Sequence, residues 1–515
     1  MTRPSVAFTL GMFLAAWLVQ CALYAHTFQV QPAGDDWGPP MTDIFVGNED
    51  GIGTLVGETR QAKNYRPGQS LLMWMAGRAA GVDGASADAM SELRQPATWF
   101  SIRALTLLSS GVFIAATALL VMQMPIGRAG VIASAVVLTV HPSLAAAIAS
   151  IDGFTSVLAP AFVMLAAAAV VRFRNTPALG LAAMLACLVV GTLFKEYAFA
   201  VVPVSALAAL LFSAKAPWRW AILHAVTGAV VVAALLYVRR FVIPDELATT
   251  GGGLPTIKNV AFNFALTIVG GLFSGNTVFV MATKSPLALA WVGVTVLANL
   301  VLLGVGLWKL LRRRDDDTPT TDRAASAKRW VIFAALGIFT ASFPANVVLR
   351  MSEMYLAAWV GHLALLAGLC VVGWQHVGPT PRRFAVGVAT AIALAAAAST
   401  WVKADGVRTS GFRAANAADS MLGHINDAEA TGQNITIYFA LDTLPPNRTY
   451  SVFRVGDDVL LGSAGAIPHL RQGTSVTSEV VHVETEDAAR DRAAFNTDRL
   501  DILWDPPTQT FRRLD

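Results

Sequence analysis

The chain runs as long apolar stretches separated by short polar breaks, and the apolar residues do not alternate with polar ones along the stretches. That pattern excludes a transmembrane β-barrel and predicts helices. A helix crosses a bilayer with about 20 apolar residues. Stretches of that kind cover 5–25, 99–123, 129–148, 155–172, 178–194, 197–213, 218–240, 287–308, 331–348, 355–375 and 384–401. They predict about eleven transmembrane helices. A signal peptide is the alternative for the first: Arg3 fits a basic start, but no small-x-small cleavage site follows the apolar run. Beyond Trp401 the period changes. ITIYFAL (435–441) and SEVVHVE (478–484) read as strands, with LPPNR between them as a turn. The expected architecture is an all-α polytopic membrane protein over residues 1–401, with an extracytoplasmic loop at 27–97. A small α/β or β-rich extracytoplasmic domain follows over 402–515.

Composition agrees with this reading. Hydrophobic residues make up 55% and charged residues 14%, against about 25% charged in a soluble domain. An ordinary cytosolic enzyme and a disordered chain are both excluded. Cys21, Cys187 and Cys370 lie inside apolar runs and read as packing residues, not a disulfide framework. From Lys403 onward there are 11 Lys and Arg against 16 Asp and Glu, and before it 27 against 18. A basic membrane body therefore joins an acidic tail. The basic residues form no patch interleaved with aromatics, so no nucleic-acid partner is expected.

The placement of Lys and Arg sets the expected orientation. One set of loops holds Arg128, Arg172, Arg174, Lys215, Arg219, Lys309, Arg312, Arg313, Arg314, Arg323, Lys328, Arg329, Arg382 and Arg383. The opposite short loops hold little beyond Lys195, Lys258 and Arg350. The first set is read as cytoplasmic, with the N-terminus inside and the loop 27–97 and tail outside. Residues 259–283 are apolar enough to span, but a crossing there would carry Arg312–Arg314 outside. They are read as an interfacial or re-entrant helix on the outer side.

Polar groups gather beside apolar helices at four places, all on the outer face. Gly34-Asp35-Asp36-Trp37 offers two adjacent carboxylates for a divalent cation or for a base; a solvated acidic turn is the plainer alternative. Tyr65-Arg66-Pro67 opens an amphipathic run, where a guanidinium suits a phosphate head group or simply anchors the interface. Lys195-Glu196-Tyr197 puts an ionisable pair between two nearly touching spans, as a functional pair or a structural one. Arg350, Ser352, Glu353 and Tyr355 lead into a later span. Arg103 lies just inside the second span, placed to snorkel toward the same face. Asp152 follows the short connection opened by His141-Pro142 and is a further acid. His141 reads as the end of a helix. G-x-S-x-G, H-E-x-x-H, Walker A and G-x-G-x-x-G are all missing from the sequence.

Taken in order, the Asp pair, NYRPGQSLLMWMAGRAAG, HPSLAAAIASIDG, GTLFKEYAFAVVP and RMSEMYLAAWVGHLALLAG resemble the membrane part of GT-C-fold glycosyltransferases. They are most similar to the tetratricopeptide-bearing transmembrane O-mannosyltransferases and their bacterial relatives, over roughly residues 5–375. The resemblance implies transfer of a sugar from a polyprenyl-phosphate donor to a hydroxyl acceptor (glycan, lipid or protein) at the outer face of a membrane, here the bacterial inner membrane. Asp35, Asp36 and Asp152 are then the candidates for catalysis, and Arg66, Lys195 and Arg350 for the donor phosphate. Tyr65, Glu196, Glu353 and Tyr355 are supporting residues. A divalent cation is left open, with Asp35 and Asp36 as its ligands. The sequence departs from the family pattern at Gly68 (Leu expected), Thr192, Phe154 (Arg expected) and Met354 (Arg expected). No tetratricopeptide repeats follow. A polysaccharide polymerase or ligase and a lipid-linked sugar transporter or flippase are the alternatives. A transporter predicts inverted repeats and mid-membrane charges, which the sequence does not show.

Overall fold

The computed structural model describes residues 4–27, 66–82, 96–149, 153–238, 286–312, 321–346, 357–440, 475–495, 498–505 and 510–514, with a few isolated positions besides. Residues 262–285, the core of the expected re-entrant segment, lie outside them.

The helices in chain order are α1 (Val6–Tyr24), α2 (Pro67–Ala79), α3 (Pro96–Val121), α4 (Arg128–Val140), α5 (Ala145–Ala149), α6 (Phe154–Arg172) and α7 (Pro177–Thr192). They continue with α8 (Val201–Phe212), α9 (Pro217–Tyr237), α10 (Pro286–Leu311), α11 (Thr321–Asn346), α12 (Ala357–Trp374) and α13 (Pro379–Thr431). A helix thus lies over each of the eleven apolar stretches. Among the described residues six are long and apolar enough to cross a bilayer, or seven if the bent pair α4–α5 is one span. The chain is a multi-pass membrane protein, but helix length does not establish a count of eleven. The reason is local. His141 is extended ahead of Pro142, and the two arms of that pair meet at 41°. Pro177–Thr192 and Glu196–Phe212 are shorter apolar helices that meet at Lys195. Trp359–Trp374 is also short.

At the centre stands α6, packed by α3, α7, α8 and α12. Within its span 83% of residues are buried, against 11% in α9, which sits at the lipid-facing edge. Polar side chains tie helices together through backbone carbonyls: Gln20 Nε2 donates to Leu138 O at 3.1 Å, and Ser134 Oγ to Ala364 O at 2.8 Å. In hydrocarbon a buried polar group without such a partner is costly.

The expected domain boundary at 401 falls inside a helix. With 53 residues, α13 continues from its apolar half into the tail without a break. Near that point Thr400 Oγ1 donates to Val140 O at 2.9 Å, and Trp401 stacks on His26 with ring centroids 4.0 Å apart. Gly432, at a φ of 67°, ends the helix in the left-handed conformation that glycine adopts freely.

The tail is α/β. Its strands β1 (Asn434–Ala440), β2 (Ser478–Val483), β3 (Arg499–Asp505) and β4 (Thr510–Arg513) form one sheet in the order β2-β1-β3-β4. β1 is parallel to both neighbours and β4 is antiparallel to β3. Alternate residues of a strand face opposite sides. Ile435, Ile437 and Phe439 pack with Met421 and Ile425 of α13, whereas Tyr438 and Ala440 pack with Ala489 of α14 (Glu486–Ala493). β4 is pinned on both faces: Arg513 pairs with Asp427 of α13 at 2.9 Å and Arg512 with Glu486 of α14.

Hydrogen bonds from Arg512 and Arg490 hold the Glu486 carboxyl below its ordinary titration range. A depressed carboxylate stabilises the fold above its unfolded pKa, and the contribution is lost as pH falls through the lowered value. The pair is near the surface, so its worth is about 0.2–1 kcal/mol and is weakened by salt. Hydrogen-exchange protection of β3 and β4, corrected for intrinsic rates, should be lower in Glu486→Gln than in the wild type at pH 7. The two proteins should converge in acid. Equal protection at pH 7 would remove the pair as a stabilising contact.

Candidate functional site

The helix breaks on one face of the bundle meet. Arg66 caps the N-terminus of α2, with Pro67 in its first turn, where the missing N–H costs nothing. α2 has 13 residues, too few to span, and buries Gln69, Ser70, Met73 and Gly77 on one side. It lies on the amphipathic run for which the sequence predicts an interfacial helix. Its first turn lies against the α7–α8 junction: Gly68 N donates to Leu193 O at 3.0 Å. A Cβ on Gly68 would sit 3.0 Å from both Leu193 O and the Phe194 ring. A side chain on residue 68 would therefore have to displace Leu193 or Phe194, which fits glycine at this position.

That contact places Arg66 beside Glu196, 130 residues away in sequence, with Arg66 Nη2 3.2 Å from Glu196 Oε2. Both side chains are largely covered, at 20% and 29% exposure. Lys195 is buried. Its Nζ donates to Ser156 Oγ at 2.7 Å and lies 5.4 Å from the centre of the Tyr197 ring. Ser156 sits in the first turn of α6. Gly153 leads into that turn so close to α5 that a Cβ would overlap the Ala147 carbonyl. Below, Phe162 and Phe194 stack with centroids 5.9 Å apart. Among the described residues Arg66, Lys195 and Glu196 thus lie at the α7–α8 junction, next to this aromatic pair.

Of the residues expected in the site, the structure brings together Arg66, Lys195 and Glu196. Asp35, Asp36, Tyr65, Asp152, Arg350, Glu353 and Tyr355 lie outside the described residues. His141 behaves as the end of a helix: its Nδ1 accepts from Ser143 N at 3.3 Å and its ring meets Trp359 edge-on. Arg103 reaches into protein and not to the surface. It is fully buried, and its Nη1 donates to the carbonyl of Ala149 at the end of α5. Phe154, where the family pattern has Arg, is a core residue packed with Met73 and Ile102. Sequence reading missed Ser156, which carries no motif. Among the described residues no three His, Cys, Asp or Glu side chains converge as a metal would need.

No protein-family model and no curated protein matches the sequence significantly. Solved structures do, loosely. ArnT from Cupriavidus metallidurans in the apo state aligns over 97% of this chain and 93% of its own, with 16% identity and a TM-score of 0.42. The same protein bound to undecaprenyl phosphate aligns over 98% and 93%, with 14% identity and a TM-score of 0.39. The apo oligosaccharyltransferase of Archaeoglobus fulgidus aligns over 78% of this chain and 56% of its own, with 14% identity and a TM-score of 0.38. Likenesses this loose carry no functional weight, and the assignment rests on the residues.

The Gly68 contact is testable by introducing a leucine there. Gly68→Leu should destabilise the fold by about 1–3 kcal/mol, the usual cost of overpacking. It should also lengthen the Arg66–Glu196 contact. An unchanged thermal midpoint would show that the first turn of α2 does not depend on this approach.

Proposed function

We propose that the chain is a membrane glycosyltransferase of the GT-C type. It moves a sugar from a polyprenyl-phosphate donor to a hydroxyl acceptor at the outer face of the bacterial inner membrane. The observation that carries the reading is the contact of Arg66 with Glu196, the residue next to Lys195. Two of the ordered motifs, far apart in sequence, thus meet beside apolar helices. A polyprenyl-phosphate sugar needs this combination: cations for the phosphate and hydrocarbon for the chain.

In the reaction the bond from the anomeric carbon to the phosphate oxygen breaks, and the polyprenyl phosphate leaves with added negative charge. Arg66 and Lys195 stabilise that charge more than the ground state, which is the condition for catalysis. The acceptor oxygen forms the new bond and gives its proton to a carboxylate. Asp36 is favoured over Asp35 as that base because Trp37 beside it offers a face for a sugar ring. Asp152 stands next in line. Glu196 holds Arg66 in place until the donor phosphate competes for it. Arg350 is the further cation expected at the phosphate.

One transfer assay with purified protein tests the assignment. Arg66→Ala should weaken donor binding by roughly tenfold or more, the worth of a charge-assisted hydrogen bond. Asp35→Asn or Asp36→Asn should slow transfer by about a hundred- to ten-thousandfold while leaving donor binding intact. Wild-type donor affinity in Arg66→Ala, or wild-type rates in both Asp variants, would remove those residues from the site. A change in metal dependence alone would make the Asp pair a cation site and move the base to Asp152.

Orientation is tested separately. A reporter active only in the cytoplasm, fused after Asp515, should be silent, because the basic loops place the tail outside. A strong signal would overturn the topology.

A further inference from the structure

One side of α10 packs on α12 and the other is bare. On the packed side a Cβ on Gly373 of α12 would overlap the Gly306 carbonyl, and Trp374 Nε1 donates to Leu302 O at 2.8 Å. Gly306 and Leu310 are buried. The helical period puts Val294, Leu297, Val301, Gly304, Trp308 and Arg312 together on the opposite side, and all of them are exposed. At Gly304 no heavy atom lies within 4 Å of the Cβ position. The stripe is apolar up to the end of the span at Leu311. There two cations converge on one indole: the guanidinium carbon of Arg312 lies 4.7 Å from the centre of the Trp308 ring, and Lys309 Nζ lies 4.9 Å from it. Among the described residues neither cation is in an ion pair.

We propose that the end of this stripe binds one anionic phospholipid, with the lipid phosphate at Lys309 and Arg312 and an acyl chain along the bare side of α10. A tryptophan at the end of a span sits at the level of the head groups, with part of its ring in hydrocarbon. A guanidinium stacked on that ring keeps its fork of N–H groups at the edge, where it matches two oxygens of a phosphate. From Arg312 to the midplane is about 15 Å, half of the hydrocarbon core, or roughly ten residues of helix. A chain of that reach passes Trp308, fills the notch at Gly304 and ends near Val301. A lipid without net charge fits the apolar stripe equally well but leaves both cations unmatched, so the charge selects the anionic head group. In the topology proposed above this end of α10 is cytoplasmic, so the site is separate from the donor site at Arg66 and Lys195.

The test uses full-length protein in phosphatidylcholine nanodiscs that carry a trace of either phosphatidylglycerol or phosphatidylcholine with a diazirine near the glycerol end of one acyl chain. After irradiation, the label from phosphatidylglycerol should fall on peptides holding Gly304 and Trp308. It should exceed the label from phosphatidylcholine there by about fivefold for each cation. Lys309→Gln combined with Arg312→Gln should bring the two lipids level while a weaker label remains. Arg219→Gln removes the cation beside Trp218 on α9 and should leave the preference at α10 unchanged. Equal labelling of the wild type by both lipids overturns the proposal, as does a preference that survives the double substitution. An equal loss in Arg219→Gln would make the effect one of overall surface charge and overturn the site. Asp315–Asp317 follow in sequence and lie outside the described residues. A preference that emerges only when all three are changed to Asn would show that those acids hold the cations, and also overturns it. Displacement of the lipid by soluble glycerol phosphate would assign the cations to a soluble anion instead. Nanodiscs expose both leaflets and the assay needs no transfer activity, so failure here is distinguishable from failure of the topology or of the glycosyltransferase reading.

Discussion

Hydrocarbon offers a peptide group no hydrogen-bond partner, so inside a bilayer irregular backbone survives only where protein covers it. That constraint arranges this molecule. The chain leaves the helical conformation at 141–144, at Gly153 and at Lys195, and these breaks cover one another at one end of the bundle. The carbonyl of Leu193 is met by Gly68 N, that of Ala149 by Arg103, and that of Val140 by Thr400. Satisfying the breaks concentrates polar side chains on one face. The same face then becomes the place where a charged head group can be bound beside a hydrocarbon chain.

The electrostatics of the site follow from partial burial. A cation taken out of water needs compensation, and a buried pair is kept only where geometry and further hydrogen bonds repay the desolvation. Lys195 is compensated by the Ser156 hydroxyl and the Tyr197 ring, and Arg66 by Glu196. Among the described residues the groups that offset the two cations are one carboxylate, one hydroxyl and one aromatic ring. A guanidinium held by a carboxylate at 20% exposure can exchange one oxyanion for another without being buried afresh.

Much of the bundle was legible in the sequence, because the length and apolarity of a run report directly on a helix in lipid. Every apolar stretch carries a helix, and the runs read as strands at 435–441 and 478–484 hold β1 and β2. The count of full crossings was not legible. Whether two short apolar helices count as one span or two depends on bends, such as the one at His141-Pro142, that a hydropathy pattern does not register. Nor was the continuity of α13 legible, since a fall in hydropathy looks alike whether a helix ends or merely enters water. In the site, Arg66, Lys195 and Glu196 could be read because charges beside apolar runs are conspicuous. Ser156 could not, because a serine opening a helix is ordinary until its partner is known. Gly68 looked like a lost motif residue and is instead what lets α2 reach the α7–α8 junction.

That junction also explains why the tail belongs in the same account as the site. Met73, on the buried face of α2, joins Ile102, Phe154 and Leu158 in one hydrophobic cluster with Met421, Ile425, Ile437 and Trp504 of the tail. Arg66 stands at the start of α2, less than two turns from Met73. The helix that presents the guanidinium is thus held from two sides, by the Leu193 carbonyl at its first turn and by a core shared with the tail at its middle. α2 is too short for isolated helix stability, so its position is set by those two contacts and not by its own propensity. The sheet beyond α13 therefore contributes to where Arg66 points, although no residue of the sheet is among the expected site residues.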